Sequence, residues 1–436
     1  MKYSAFPLLA IILIPLALFA SGCAGGGESL RREEGEKEFI TISEKRVSAP
    51  PLVVLAGKDR ELGLEAYDDA VLLSKGEEAL KAGDFAFAIK FFARLLLEFP
   101  DSTLSLPARY NLGYALARAG ECEKAVVHLK KFIEAAETAG DDSLLVKAMV
   151  TQGFCLAKIG LYEEAISLYE KVSRRSANAP EAIDALFYRG DALFHLKRYD
   201  EAIKQYEELL DKFHLFPHAV IETITRIAQC YIAKGELEKA ESVVWGAMTY
   251  YKRMENEEYI EPRYIAEAQY QLGEIYRIKF QNVVLEFPQE VMAERLEEKA
   301  QHLLKAQMYY LKTIRRGDVQ WAAASGYRVG ELYEEMYDAV MKAPIPNELT
   351  KEEGEYYHNL LRKRVKVLVK KAIQAYESTL NMAFRVGFTG EWVQLTNERM
   401  NRMKEIYINE PDIEEPPPET KEIEHDKEEK NSDGKS

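Results

Sequence analysis

The sequence of 436 residues is poor in cysteine and histidine, two residue types that often form reactive or metal-binding sites, with four and seven respectively. Its cysteines form no CxxC pair, so they indicate neither a disulfide framework nor a zinc site. The Walker phosphate loop, the GxSxG nucleophile turn and the HExxH zinc motif are also missing. We therefore expect no enzymatic activity, no metal, no small-molecule substrate and no cofactor.

An excess of basic residues is missing as well. The chain has 58 lysines and arginines against 72 acidic residues, which gives a formal net charge of −14. Half of this charge comes from residues 410–436, where eleven acidic residues stand against four lysines. We predict that residues 409–436 are a disordered acidic tail, because they offer little apolar surface to bury. The remainder of the chain is only mildly acidic, which argues against nucleic acid as a partner.

A spaced pattern occurs five times between residues 76 and 244. A small residue is followed twelve positions later by alanine, and four positions after that by a bulky apolar residue. The five sets are Gly76, Ala88 and Phe92; Gly113, Ala125 and Leu129; Gly153, Ala165 and Tyr169; Gly190, Ala202 and Tyr206; Ala228, Ala240 and Val244. A glycine follows each small residue after seven positions, except at Lys197. Such self-similarity predicts stacked helical pairs, each too small to bury its apolar face alone.

These residues resemble the tetratricopeptide repeat, most clearly between Gly190 and Ala202. An unrelated helical bundle would not keep the twelve-residue spacing. The resemblance implies an all-α fold, a right-handed α-solenoid of about seven helix-turn-helix repeats, with residues 61–262 forming five regular ones. The small residue and the alanine would let the two helices of a repeat approach closely. We expect the bulky residue to fill the space between one repeat and the next.

Two longer repeats and a capping helix are predicted for residues 263–408. Gly273 and Gly330 begin these repeats, and each is followed by a proline-containing insertion before its second helix. Thr350 and Glu353 have the spacing of a capping box, which predicts the start of a long helix ending near Gly387. A last helix, with Trp392 as its anchor, would cover the open end of the array.

Three cysteines lie within the repeats. Cys122 occupies the position that aromatic or aliphatic residues hold in the other repeats, namely Phe85, Tyr162, Tyr199 and Leu237. It is therefore predicted to be buried. Cys155 and Cys230 share one position of the first helix, two repeats apart. A disulfide between Cys122 and Cys155, in neighbouring helices, stays open.

The N-terminus has the pattern of an exported protein. Lys2 precedes an apolar run from Ala5 to Ala20 that is short for a membrane span, so residues 1–22 are predicted to be a signal peptide. Ala20 to Cys23 resemble the bacterial lipobox, which implies cleavage before Cys23 and acylation of that cysteine. Ala24 follows where aspartate would favour the inner membrane, so the resemblance implies the outer membrane. Residues 23–60 would be a flexible tether.

Two further resemblances concern the role of the chain. Trp321 to Ala324, Gly330 to Tyr333, Ala343 to Pro346 and Glu391-Trp392 look like segments of tetratricopeptide proteins of deltaproteobacterial envelopes, including gliding-motility components. Phe99 to Ser102, which close the first repeat, resemble instead the lipoprotein of the β-barrel assembly machine, a much shorter protein. The leading interpretation is a lipid-anchored, periplasm-facing scaffold, and β-barrel assembly is the alternative. A cell-wall hydrolase built on a helical solenoid is the alternative from another class.

A candidate binding surface follows from the repeat resemblance. In tetratricopeptide arrays the first helix of each repeat, helix A, lines a concave groove. This role is carried over to Tyr110, Tyr114, Arg118, Phe154, Phe187, Asp191, Phe194, Tyr270 and Arg277, with Lys147, Lys158, His195 and Glu274 beside them. Six of these are aromatic, and aromatic and arginine side chains are the usual anchors of interfaces. We expect envelope proteins or extended peptides as partners, unless neighbouring helices or the tether cover these residues.

Overall fold

The protein was analysed as a computed structural model, which describes residues 67–140, 144–175, 180–345 and 349–409. These residues form fifteen α-helices and no strand. The helices are α1 (Asp69–Lys81), α2 (Phe85–Glu98), α3 (Ser105–Arg118), α4 (Cys122–Ala139), α5 (Leu145–Lys158), α6 (Tyr162–Arg175), α7 (Pro180–His195), α8 (Tyr199–Lys212), α9 (Pro217–Ala233), α10 (Leu237–Met254), α11 (Pro262–Asn282), α12 (Gln289–Ile314), α13 (Val319–Met341), α14 (Lys351–Val386) and α15 (Glu391–Asn409). The predicted signal peptide, Cys23 with the tether, and the tail from residue 410 lie outside the described residues.

The helices pair in chain order, so the predicted fold class, an all-α solenoid of helical hairpins, is confirmed. By packing, the described residues form two units, 67–275 and 276–409, and the division falls inside α11. In the first unit each helix from α1 to α9 packs against the next, and α1, α3, α5, α7 and α9 also contact one another in sequence. These odd-numbered helices are the A helices of the repeats. In the second unit α13 packs against α12, α14 and α15.

In the four repeats that begin with glycine, the bulky residue lies directly on the glycine of its own repeat. Tyr169 also packs on Tyr188 of the next repeat, with 6.2 Å between the ring centroids, as we expect of a residue that fills the space between repeats. A Cβ atom on Gly76 would lie 2.4 Å from the Phe92 ring, and one on Gly153 would lie 2.6 Å from the Tyr169 ring. Glycine is therefore needed at these positions so that a large side chain from helix B can cross helix A. The five alanines of the pattern, Ala88, Ala125, Ala165, Ala202 and Ala240, are fully buried.

The turns within the hairpins use a left-handed residue at a constant place. Gly83, Gly120, Gly160 and Gly235 have φ values from 76° to 84°, a conformation that glycine adopts without steric cost. Lys197 takes the same place in the fourth repeat with a φ of 60°. It is the one non-glycine residue with positive φ among the described residues.

The second unit repeats the same packing around a longer insertion. Tyr376 of α14 covers Gly330 of α13, with 2.2 Å between its ring and a Cβ built on the glycine. The predicted capping box opens α14, since Thr350 and Glu353 exchange hydrogen bonds between side chain and backbone. Gly387 ends the helix with a φ of 68°. Helix α15 begins at Glu391, and Trp392 lies against Tyr327 with the ring centroids 5.4 Å apart.

The cysteines of the repeats are buried, as the sequence predicts for Cys122. Cys122, Cys155 and Cys230 are all free thiols. Burial raises the pKa of Cys155, and a hydrogen bond with Cys122 raises it further. The two thiols are thus neighbours and remain unlinked. Burial also raises the pKa of Cys230 to about 12, which makes this thiol a poor nucleophile.

Candidate protein-binding surface

The side chains at the predicted groove positions lie on the A helices of the first unit. We call the side of α3, α5, α7 and α9 that carries them, together with α11 up to residue 275, the helix A surface. Consecutive helices from α3 to α9 in this set touch. Side chains from one repeat can therefore contact those of the next, and an extended ligand could contact several repeats at once.

The aromatic residues of this surface are half-buried. Tyr110, Tyr114, Phe154, Phe187 and Phe194 all keep part of their rings exposed, as we expect of a binding surface. Each ring also packs on an aromatic neighbour, with 5.7 Å between the centroids of Phe154 and Tyr188 and 5.8 Å between those of Phe187 and Tyr206. Burial raises the pKa of Tyr110 to about 12. Because the fold holds these rings in place, they can offer rigid apolar area to a partner.

Cations already lie against several of these rings. Arg118 is exposed, donates a hydrogen bond of 2.9 Å to the Tyr114 hydroxyl and lies 5.1 Å from the centre of the Phe85 ring. The Lys158 ammonium lies 5.4 Å from the centre of the Phe154 ring. Such distances are within the range of cation–π attraction. The surface therefore combines apolar rings with positive charge in repeats 2 and 3.

Repeats 4 to 6 carry a charged network that the sequence analysis did not find. Arg226 of α9 donates to Glu267 of α11 at 2.5 Å and lies 3.4 Å from Asp191 of α7. Its guanidinium also lies 3.5 Å from Glu222 and 5.9 Å from the centre of the Phe187 ring. One arginine thus links three A helices. In the sequence, Arg226 is recognisable only as the residue two positions before Ala228. The contacts between repeats are needed to show that it bonds to the neighbouring A helices.

Asp191 is bonded to a residue of its own repeat. The Tyr206 hydroxyl crosses Gly190 and donates a hydrogen bond of 2.6 Å to the Asp191 carboxylate. Burial raises the pKa of Asp191, and Arg226 and the Tyr206 hydrogen bond offset this only in part. Burial also raises the pKa of Glu222, again with partial compensation by Arg226. Three carboxylates around one guanidinium leave this part of the surface with excess negative charge.

Two residues of the predicted groove differ from the expectation. Tyr270 is buried, with 6 % of its surface exposed, so it is a core residue that offers little area to a partner. The reason is that α11 is buried on several sides, with Ile265, Ala268 and Leu272 also in the core. Arg277 belongs to the second unit, where its guanidinium lies 3.4 Å from Glu335. We therefore exclude both from the helix A surface.

Two structural findings bear on other kinds of site. Within residues 67–409, as far as they are described, no group of three histidine, cysteine or acidic side chains is placed to hold a metal ion. None of the fifteen described helices has the length and apolar character needed to cross a membrane.

Comparison with known proteins agrees with the repeat architecture. The tetratricopeptide repeat profile matches residues 73–139 and 156–217, which is less than half of the chain. No curated protein matches the sequence. The profile covers α2 to α4 and α6 to α8 in full, with parts of the neighbouring helices, and therefore the helices that form much of the helix A surface.

Several solved structures of repeat proteins are similar to this chain. A tetratricopeptide repeat protein from Parabacteroides merdae is 12 % identical, with 78 % of this chain and 99 % of that chain covered and a TM-score of 0.39. MamA from Desulfovibrio magneticus RS-1 is 18 % identical, with 42 % and 96 % covered and a TM-score of 0.36. These likenesses carry no information about function. The chain is an all-α repeat protein in which residues 73–139 and 156–217 are tetratricopeptide repeats.

Proposed function

We propose that this protein is a lipid-anchored adaptor of the cell envelope that binds partner proteins or extended peptides with its helix A surface. The observation that carries the proposal is the row of half-buried aromatic side chains on successive A helices of tetratricopeptide repeats. Rigid aromatic residues beside charged groups are typical of protein-binding surfaces. Binding and not catalysis is the proposed role.

The anchor is the second part of the proposal. It is supported by the apolar run from Ala5 to Ala20 and by the lipobox-like residues before Cys23. Several acyl chains on one cysteine would hold the protein firmly, since each buried methylene contributes about 0.8 kcal/mol and a single chain binds only marginally. The protein would then face the periplasm, at the outer membrane, with the repeats displaced from the lipid by the tether.

Metabolic labelling with an alkyne fatty acid tests the anchor. We expect the wild-type protein to take up the label and to fractionate with membranes. Cys23→Ser should abolish both, whereas Ser29→Ala, a change of similar size in the same segment, should leave both intact. Uptake of label by Cys23→Ser would contradict acylation at this residue.

Site-specific photocrosslinking tests the binding surface. Arg118 is exposed on the helix A surface, and Lys131 is exposed on helix B of the same repeat. A photoreactive residue at position 118 should capture a discrete partner in native membranes, and one at position 131 should not. Equal capture from both positions, or none from position 118, would contradict the proposed surface.

The captured partner also decides between the wider assignments. A component of a trans-envelope or motility complex is the expected partner, whereas a large outer-membrane barrel would favour β-barrel assembly. Release of muropeptides from peptidoglycan by the purified protein would contradict a role in binding alone.

A further inference from the structure

Helix α14 carries a dense group of basic residues that lies outside the helix A surface. Between positions 358 and 376 it has six lysines and arginines and no acidic residue. We define the basic face of α14 as Arg362, Lys363, Lys366 and Lys370. Members of this set recur at intervals of three and four positions, which places them on one side of the helix. Leu368, on the opposite side, is buried in the core.

The basic face is accessible to a ligand. Lys370 is exposed, and the other three side chains are partly exposed. Arg362 donates a hydrogen bond of 2.8 Å to the side-chain oxygen of Asn359, a neutral group that leaves the charge of the guanidinium in place. Lys371 lies outside the face, because its ammonium is 5.4 Å from the centre of the Tyr333 ring of α13. An accessible concentration of positive charge of this kind attracts polyanions.

The end of α15 lies beside the basic face. The Lys366 ammonium is 4.7 Å from the centre of the Tyr407 ring, and α15 ends two residues further on, at Asn409. The face extends over about 12 Å, at about 1.5 Å for each residue of α14. An extended segment as long as residues 410–419 spans up to about 33 Å. This segment therefore begins close to Lys366 and is long enough to reach every member of the basic face.

Residues 410–419 have the charge that complements the basic face. They contain five acidic residues and no basic residue, whereas the lysines of the acidic tail begin at Lys421. The part of the tail that starts beside the face is thus the part without any positive charge. Complementary charges of this kind favour binding and select the partner.

We propose that residues 410–419 bind to the basic face of α14 in the same chain. Because the segment is covalently attached beside the face, its local concentration there is high, and the contact needs no second molecule. By occupying the face, the acidic tail would exclude other polyanions from α14. The basic face belongs to the second unit, so this contact does not depend on binding at the helix A surface.

Lysine acetylation of the purified full-length protein, quantified by mass spectrometry, tests the contact. The near-tail variant changes the acidic residues of the segment to amides, with Glu410→Gln, Asp412→Asn, Glu414→Gln, Glu415→Gln and Glu419→Gln. We expect Lys370 to be acetylated about threefold faster in this variant than in wild type, since the change uncovers the amine and removes negative charges that keep it protonated. In wild type, salt at about 1 M should have the same effect, because it screens charges beyond about 3 Å. Equal rates for wild type and variant would overturn the proposal.

A far-tail variant is the matched control. It removes the same number and kinds of carboxylates beyond Lys421, with Glu422→Gln, Glu424→Gln, Asp426→Asn, Glu428→Gln and Glu429→Gln. It should leave Lys370 as protected as in wild type. Lys342 of α13, whose side chain is 76 % exposed, is the internal reference and should be acetylated equally in all three proteins. Equal acceleration at Lys370 in both variants would contradict the assignment of residues 410–419, because the total charge of the tail would then set the rate.

Carbodiimide crosslinking identifies what occupies the face. In a mixture of isotope-labelled and unlabelled wild-type protein, the carboxylates of residues 410–419 should become linked to lysines of the basic face within one isotopic form only. Links between the two isotopic forms would show that the tail binds a second copy, and would overturn the proposal. Protection of Lys370 that arises only after vesicles of phosphatidylcholine and phosphatidylglycerol are added would also overturn it, since the face would then bind an anionic membrane.

Discussion

At Gly153 a Cβ atom would lie 2.6 Å from the Tyr169 ring, whereas at Gly246, inside α10, it would meet no atom within 4 Å. The two glycines thus have different reasons to be glycine. Gly153→Ala should lower the free energy of unfolding by about 1–3 kcal/mol, since the buried ring cannot move away easily. Gly246→Ala should raise it by about 0.5–1 kcal/mol through helix propensity. Urea unfolding of both variants checks the pair, and a loss at Gly246 or none at Gly153 would contradict the packing.

Lys197 stands in the turn of the fourth repeat, where the other repeats have glycine. Its φ of 60° costs a residue with a Cβ atom about 1 kcal/mol, a cost that the glycines of the other turns avoid. Lys197→Gly should therefore raise the free energy of unfolding by about 0.5–1 kcal/mol, part of the gain being lost to the more flexible unfolded chain. Lys197→Ala keeps the Cβ atom and should give no gain. A similar gain in both variants would mean that charge, and not backbone strain, sets the effect.

At the scale of the element, the last helix is held by a contact that spans much of the second unit. Glu334 of α13, with 3 % of its side chain exposed, accepts hydrogen bonds from Arg399 at 2.9 Å and Arg402 at 2.8 Å. Tyr376 of α14 donates to the same carboxylate at 3.1 Å. Both arginines lie on α15, so Glu334 fixes the capping helix to the repeat beneath it. Removing these donors would leave a buried charge without partners, which strongly destabilises a fold.

We expect the double variant Arg399→Ala, Arg402→Ala to destabilise the docking of α15 by about 2–4 kcal/mol. The loss of stability comes mainly from the buried charge of Glu334, which is left without its two arginine partners. It should be smaller than for a fully buried ion pair, because both arginines are partly exposed. Hydrogen exchange of the amides in α15 measures it, and they should exchange faster than in wild type.

Two controls belong with this variant. Lys404→Ala breaks an exposed ion pair of the same helix, 2.8 Å from Glu377, and should cost less than about 1 kcal/mol. Adding Glu334→Gln to the double variant should recover part of the lost stability, because no charge then remains buried. Failure to recover any would mean that the arginines act through packing alone.

At the scale of the whole molecule, the sequence predicted the features that recur in every repeat and those that depend on residues close together in the chain. The periodic pattern placed the helices from α1 to α10, and the box of Thr350 and Glu353 placed the start of α14 within one residue. It did not predict Arg226 or the contact of Glu334 with α15, because these join residues 41 and 65 or more positions apart in the chain. Nor did it predict the burial of Tyr270, which depends on neighbours outside its own helix.

The same distinction applies to the candidate site. The half-buried aromatic residues followed from repeat position, since position fixes which face of helix A a residue occupies. The burial of the Tyr169 hydroxyl did not follow from it. Tyr169 crosses Gly153 and its hydroxyl has no hydrogen-bond partner, which depends on side-chain packing between α5 and α6.

Asp184 of α7, an exposed carboxylate, should contribute to the pH dependence of the stability of the molecule. Burial and the charge of Glu181 raise the pKa of Asp184, so the folded state disfavours its ionised form. A raised pKa means that the folded protein binds the proton more tightly than the unfolded chain, so this carboxylate lowers stability as pH rises through the raised pKa.

Asp184→Asn should therefore be more stable than wild type at pH 7, by less than about 1 kcal/mol because the carboxylate is partly exposed to solvent. The advantage should shrink as pH falls below the raised pKa and vanish below the ordinary pKa of 3.8, where the wild-type carboxyl is protonated in both states. Paired urea titrations across this pH range measure the difference, with Glu164→Gln, a change at an exposed carboxylate of α6, as the control. An advantage that grows on acidification, or a variant less stable than wild type at pH 7, would mean that the fold needs the charge of Asp184.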